Sequence, residues 1–70
     1  MDYAYVMIID YDGQERTEHF ADHDAAYTAA RQYKTDPKTF SLNLHRVVDR
    51  SRRRLTLVLD WERGRAFPLD

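Results

Sequence analysis

Four of the chain's eleven basic residues, Arg50, Arg52, Arg53 and Arg54, fall within five consecutive positions of the stretch VVDRSRRRLTL. The planar guanidinium fork meets phosphates and carboxylates through paired hydrogen bonds, so such a cluster suits an anionic partner. The plain alternative is a solvated hairpin tip whose charges protect a sheet edge. Asp-Arg-Ser-Arg is not favoured hairpin-turn chemistry, which prefers Asn-Gly or Asp-Gly. Something other than tight turning is therefore needed to explain the arginines. A second set, Asp10, Asp12 and Glu15, is open to a partner of opposite sign, and a third, Tyr3, Tyr5 and Tyr11, has rings that stack bases, bury against a protein partner or are covered by the chain itself.

Other chemistries find little support. The chain has no cysteine, only Gly13 and Gly64 as glycines, and neither a G-x-S-x-G turn nor a phosphate-binding glycine loop. His19 and His23 stand in H-x-x-x-H spacing, but the first ends a predicted strand and the second begins a predicted helix. The same-face geometry that makes this spacing a metal site within one helix is therefore missing. His45 reads as a surface histidine. The expectation is a protein without catalytic activity, metal or cofactor.

The formal charge of −1 hides an asymmetry. Residues 1–24 hold seven acids against Arg16 alone, a net −6, and residues 25–70 hold ten basic residues against five acids, a net +5. A partner of either sign is open to such a chain, depending on where the fold puts the halves. Seventy residues allow one domain with one small core. The longest apolar run, Tyr3 to Ile9, is far short of the ~20 residues that cross a bilayer. Asp2 and Tyr3 replace the basic start of a secretory signal. A soluble, cytoplasmic protein is expected.

Positioning these residues falls to a small set of elements. Tyr3 to Tyr11 is apolar on both faces and ends at Asp12-Gly13, which predicts a central strand entering a turn. Glu15 to Phe20 is the polar strand returning outside it. A helix from His23 to Lys34, with Asp22 or Asp24 at its start, carries the stripe Ala26, Ala29, Ala30 and Tyr33 and stops at Asp36-Pro37. Phe40 to Val48 alternates, with Phe40, Leu42 and Leu44 on one face. Leu55 to Trp61 does the same with Leu55, Leu57, Leu59 and Trp61, and Arg65 to Leu69 could add an edge strand. The expected fold is α+β: a four- to five-stranded antiparallel sheet, ββαββ, with one helix across one face. With Ala4, Val6 and Ile8 placed under the helix, Tyr3, Tyr5, Met7, Ile9 and Tyr11 are expected on the open face.

The stretches YAYVMIIDYDGQERTEHF, DAAYTAARQY and LTLVLDWERGRAF give the chain a layout that resembles the small phage-encoded anti-CRISPR proteins, among them inhibitors of type I surveillance complexes. The resemblance covers most of the chain and lies in the layout, so no functional residue is carried over from it. It implies a non-catalytic inhibitor that binds a CRISPR-Cas protein complex in the host cytoplasm and blocks guide or target engagement. Two readings stand beside it: a module for single-stranded nucleic acid, opposed by the carboxylates around the tyrosines, and a homodimer joined through open faces or edges.

Overall fold

The structure is a computed structural model that describes residues 2–64. The order is β1 (Tyr5–Tyr11), β2 (Gln14–Phe20), α1 (His23–Thr35), β3 (Thr39–Asp49) and β4 (Arg54–Glu62). The strands form one antiparallel sheet in the order β2-β1-β3-β4, with α1 against one face. The α+β architecture is thus as the sequence predicts, with β1 central and β2 at an edge. The predicted strand over Arg65 to Leu69 lies outside the described residues.

Local chemistry accounts for the boundaries. Asp12 and Gly13 both have positive φ, 53° and 80°, as the tight turn between β1 and β2 requires. The Asp22 carboxylate accepts a hydrogen bond from the Ala25 amide at 2.9 Å and caps α1, with Asp24 in the first turn and Lys34 in the last. At the other end, Arg63 donates to the carbonyl oxygens of Lys34 at 3.3 Å, Asp36 at 2.8 Å and Thr39 at 2.9 Å. One side chain thereby meets a carbonyl of the last helical turn and ties the end of β4 to the segment that follows the helix.

The face assignment from sequence is reversed. Met7 and Ile9 are 0 % exposed and form the core with Ala26, Ala30, Leu42, Leu44 and Leu59. Tyr5, Tyr11, Phe20, Tyr27, Tyr33 and Trp61 pack around this core. The odd-numbered side chains of β1 therefore lie under the helix, and Val6, Ile8 and Asp10 lie on the open face. The cause is volume. An alanine stripe brings the helix close but fills no space, so the bulkier row of β1 must supply the packing. The even row ends in a carboxylate that needs water.

A second correction concerns the leucine rows. Strand pairing passes from Leu44↔Leu59 to His45↔Leu57, leaving Val58 without a partner. Leu59 and Trp61 stay under the helix, and Leu55 and Leu57 move to the open side with Val47 and His45. Similar shifts leave Phe40 without a partner on β1 and Val48 without one on β4. Among the described residues, these three, with Leu55 and Leu57, are the large apolar side chains that remain exposed.

The face assignment yields a direct test. Ile9→Ala should cost about 2–5 kcal/mol in urea unfolding, as for a filled core position, and Ile8→Ala about 1 kcal/mol or less. Equal losses would mean that the helix does not distinguish the two faces.

Candidate functional surfaces

The arginine cluster sits on the turn between β3 and β4, and Asp49 organises that turn. Its Oδ1 accepts from the Ser51 amide at 3.1 Å, the Ser51 hydroxyl at 2.8 Å and the Arg52 amide at 3.2 Å. These bonds hold the Asp49 carboxyl below the usual aspartate range, the Ser51 hydroxyl contributing most and the Arg52 amide next. Aspartate bonding to amides two and three residues ahead is turn chemistry of its own. That supplies what the sequence Asp-Arg-Ser-Arg seemed to lack. Arg50, Arg52, Arg53 and Arg54 are all exposed, and only Arg52 approaches Asp49, at 3.9 Å. Arg53 has φ 54°, the left-handed region that suits glycine. An arginine there adds local backbone cost, so the turn's geometry does not explain its presence.

The acidic set lies at the opposite end of the sheet. Asp10 pairs directly with Glu15 on β2 and with Ser41 on β3, and Ser41 pairs with Glu62 on β4. Two carboxylates directly across an antiparallel pair repel one another. Neither Asp10 nor Glu15 has a side-chain hydrogen bond or ion pair among the described residues, and Asp12 is exposed in the adjoining turn. Ile8, Asp10, Gly13, Glu15, Ser41 and Asn43 line a shallow open depression of about 380 Å³ there. Further along the same face, Val6 is flanked by His19 and His45, and His45 by Leu57.

The three tyrosines named from sequence do not share a surface. Tyr3 lies against His19, with ring centroids 4.3 Å apart. Tyr5 makes edge contacts with His23 and Tyr27 under the helix. The Tyr11 hydroxyl donates to Asp36 at 2.8 Å, and Arg16 covers the Tyr11 ring at 4.3 Å. The base-stacking platform expected from Tyr3, Tyr5 and Tyr11 together is therefore not formed. The helix side holds instead a polar network that sequence reasoning missed: the Tyr33 hydroxyl donates to Glu18 and accepts from Arg16 at 3.3 Å. Its signal was the charged pair Arg16 and Glu18 in alternation with Phe20, on the row of β2 that faces Tyr11 and Tyr33. His23 stacks on Tyr27, and no group of three or more His, Cys, Asp or Glu among the described residues is arranged to hold a metal. No described helix is long and apolar enough to cross a membrane.

No family model, curated protein or solved structure matches this chain.

Two outcomes follow from the turn and the network. Arg53→Gly should raise stability by about 1 kcal/mol, about 4–8 °C in Tm, by relieving the left-handed arginine; a fall in Tm would show that the Arg53 side chain holds the turn. Asp36, like Asp49, is held below its ordinary range, first by the Lys38 amide and then by the Tyr11 hydroxyl. A depressed carboxyl contributes stability above its unfolded pKa of about 3.9 and loses it as pH falls through the folded value. Asp36→Asn should therefore flatten the decline of unfolding free energy below about pH 4. An unchanged acid limb would remove Asp36 from that role.

Proposed function

We propose that this protein is a non-catalytic inhibitor of the anti-CRISPR kind, binding a CRISPR-Cas surveillance complex and blocking its engagement of nucleic acid. The observation that supports this reading is the arginine turn: Asp49 fixes its backbone and four guanidinium groups project from it, one of them from a backbone position that suits glycine. A prefolded loop loses little freedom on binding, which favours recognition of an acidic protein patch or of guide-RNA phosphates within the complex. Asp10, Asp12 and Glu15 at the far end suit lysines and arginines of a nucleic-acid channel. Direct capture of single-stranded nucleic acid has less support, because Tyr5 and Tyr11 are engaged beneath the helix and the open face ends in carboxylates.

The test uses a purified type I surveillance complex and labelled target DNA in a mobility-shift titration. The expected result is loss of target binding as the chain is added. A variant with Arg50, Arg52, Arg53 and Arg54 changed to serine should be at least about tenfold weaker with its fold intact, as lost charge contacts of this number imply. Target binding that persists at saturating wild-type chain rejects the inhibitor reading. Equal potency of the serine variant rejects the arginine turn and leaves the acidic end as the contact.

A further inference from the structure

The described sheet has two edges, and they differ. β4 at one edge is broken by the register shift at Val58, whereas β2 at the other pairs with β1 without a shift along its whole length. An edge strand presents a row of unpaired N–H and C=O groups, which proteins commonly blunt with lysine, proline or a bulge. QERTEHF has none of these. The two-residue turn at Asp12-Gly13 decides which groups are free. It closes on Tyr11 and Gln14 as a hydrogen-bonded pair, so Gln14, Arg16, Glu18 and Phe20 direct their main-chain groups to β1. The N–H and C=O of Glu15, Thr17 and His19 therefore point away from the sheet, and all three residues are exposed.

We infer that two copies of this chain pair edge to edge through β2, antiparallel about a two-fold axis at Thr17 that stands perpendicular to the sheet, joining their two sheets into one. Thr17 then meets Thr17 of the second copy, Glu15 meets His19, Arg16 meets Glu18 and Gln14 meets Phe20. The strand is its own complement, because each of its carboxylates stands opposite an arginine or an imidazole. Glu15, Thr17 and His19 each exchange two main-chain hydrogen bonds with the residue opposite. Arg16 and Glu18 fall in the closer, non-hydrogen-bonded pairs, with Cα atoms about 4.5 Å apart. Opposite charges in such pairs stabilise a sheet and like charges oppose it. Moving the axis to Arg16 sets arginine on arginine, and moving it to Glu18 sets glutamate on glutamate, so the charges select one register. Glu15, repelled by Asp10 on β1, gains an N–H donor on its free side. The helices leave room for this. α1 touches β2, β1 and β3, which centres it on β1. β1 and its copy stand three strand spacings apart, about 14 Å, and a helix is about 10–12 Å across. The arrangement is closed, since each chain has one β2 edge and the pairing uses it. The arginine turn lies between β3 and β4, on the far side of the sheet, and stays free, so this inference does not depend on the inhibitor reading.

Two measurements on the whole chain test it. A contact along one edge is small, below about 1,200 Å², so association is expected to be weak. In sedimentation equilibrium from about 10 μM to about 1 mM chain at low salt, the mass should rise from 8.4 kDa towards twice that value. Over the same range, amide hydrogen exchange should slow at least about tenfold at Glu15, Thr17 and His19, and not at Arg16 or Glu18, whose amides already bond to β1. Arg16→Glu and Glu18→Arg should each weaken self-association at least about tenfold, with unchanged circular dichroism, by setting like charges on either side of the axis. Mixed in equal amounts, the two variants should form a heterodimer, since every acid at these positions then faces an arginine. A chain that stays monomeric at about 1 mM overturns the pairing. Exchange that slows on β4 and not on β2 does so too, as does a variant mixture that fails to associate or a wild-type mass that grows past the dimer.

Discussion

Everything in this fold depends on how one thin helix meets a sheet whose central strand is apolar on both faces. The buried side of α1 is alanine, which lets the backbone come close and contributes almost no volume. The sheet must fill the layer, and the strand at its centre offers two candidate rows. Met7 and Ile9 win that competition, with Tyr5 and Tyr11 as half-buried walls. Once that row is inward, pairing fixes Leu42, Leu44 and Leu59 beside it and Asp10, Glu15 and His45 on the far side.

The two surfaces differ in how their polar groups are satisfied. Beneath and beside the helix, polar side chains are joined to one another: Tyr11 to Asp36, Tyr33 to Glu18 and Arg16, and Arg63 to three carbonyls. These residues hold β1, β2, the helix end and β4 in register. On the open face Asp10 and Glu15 oppose each other, and the side chains of the arginine turn largely project into solvent. The helix side thus carries ties between several elements, and the open face carries the Asn43–Asp60 hydrogen bond beside the opposed carboxylates Asp10 and Glu15.

Much of the architecture was legible in the chain. Asp12-Gly13, the Asp22 cap and Asp36-Pro37 mark element ends through chemistry local to a few residues, and each turn or cap lies at or beside its marker. The facing of β1 was harder, because both its rows are apolar and period two cannot choose between them. A usable signal was present: the even row of β1 runs on into Asp10, whose neighbour across the turn is Glu15. The leucine rows failed for another reason. A one-residue shift at Val58 reverses the facing of Leu55 and Leu57, and nothing in RLTLVLDWE announces it. For the arginine turn, position followed from the flanking alternation, whereas the stabilising role of Asp49 required the folded geometry.

The order of the sheet also shapes how the chain can fold while it is being made. β1 and β2 close on each other early, but β1 next pairs with β3, after the helix has intervened. Leu42 and Leu44 belong to that later strand, and Leu59 to the one after it. A nascent chain that has emerged only as far as Thr35 holds a hairpin and a helix with the three core leucines still missing, so Met7 and Ile9 lack that cover until β3 arrives. The Arg63 latch comes later still, gripping carbonyls of Lys34, Asp36 and Thr39 that were laid down long before it. This latch cannot close until the end of β4 has been made, and during synthesis the exposed apolar row of β1 is the part of the molecule that most needs shielding from its neighbours.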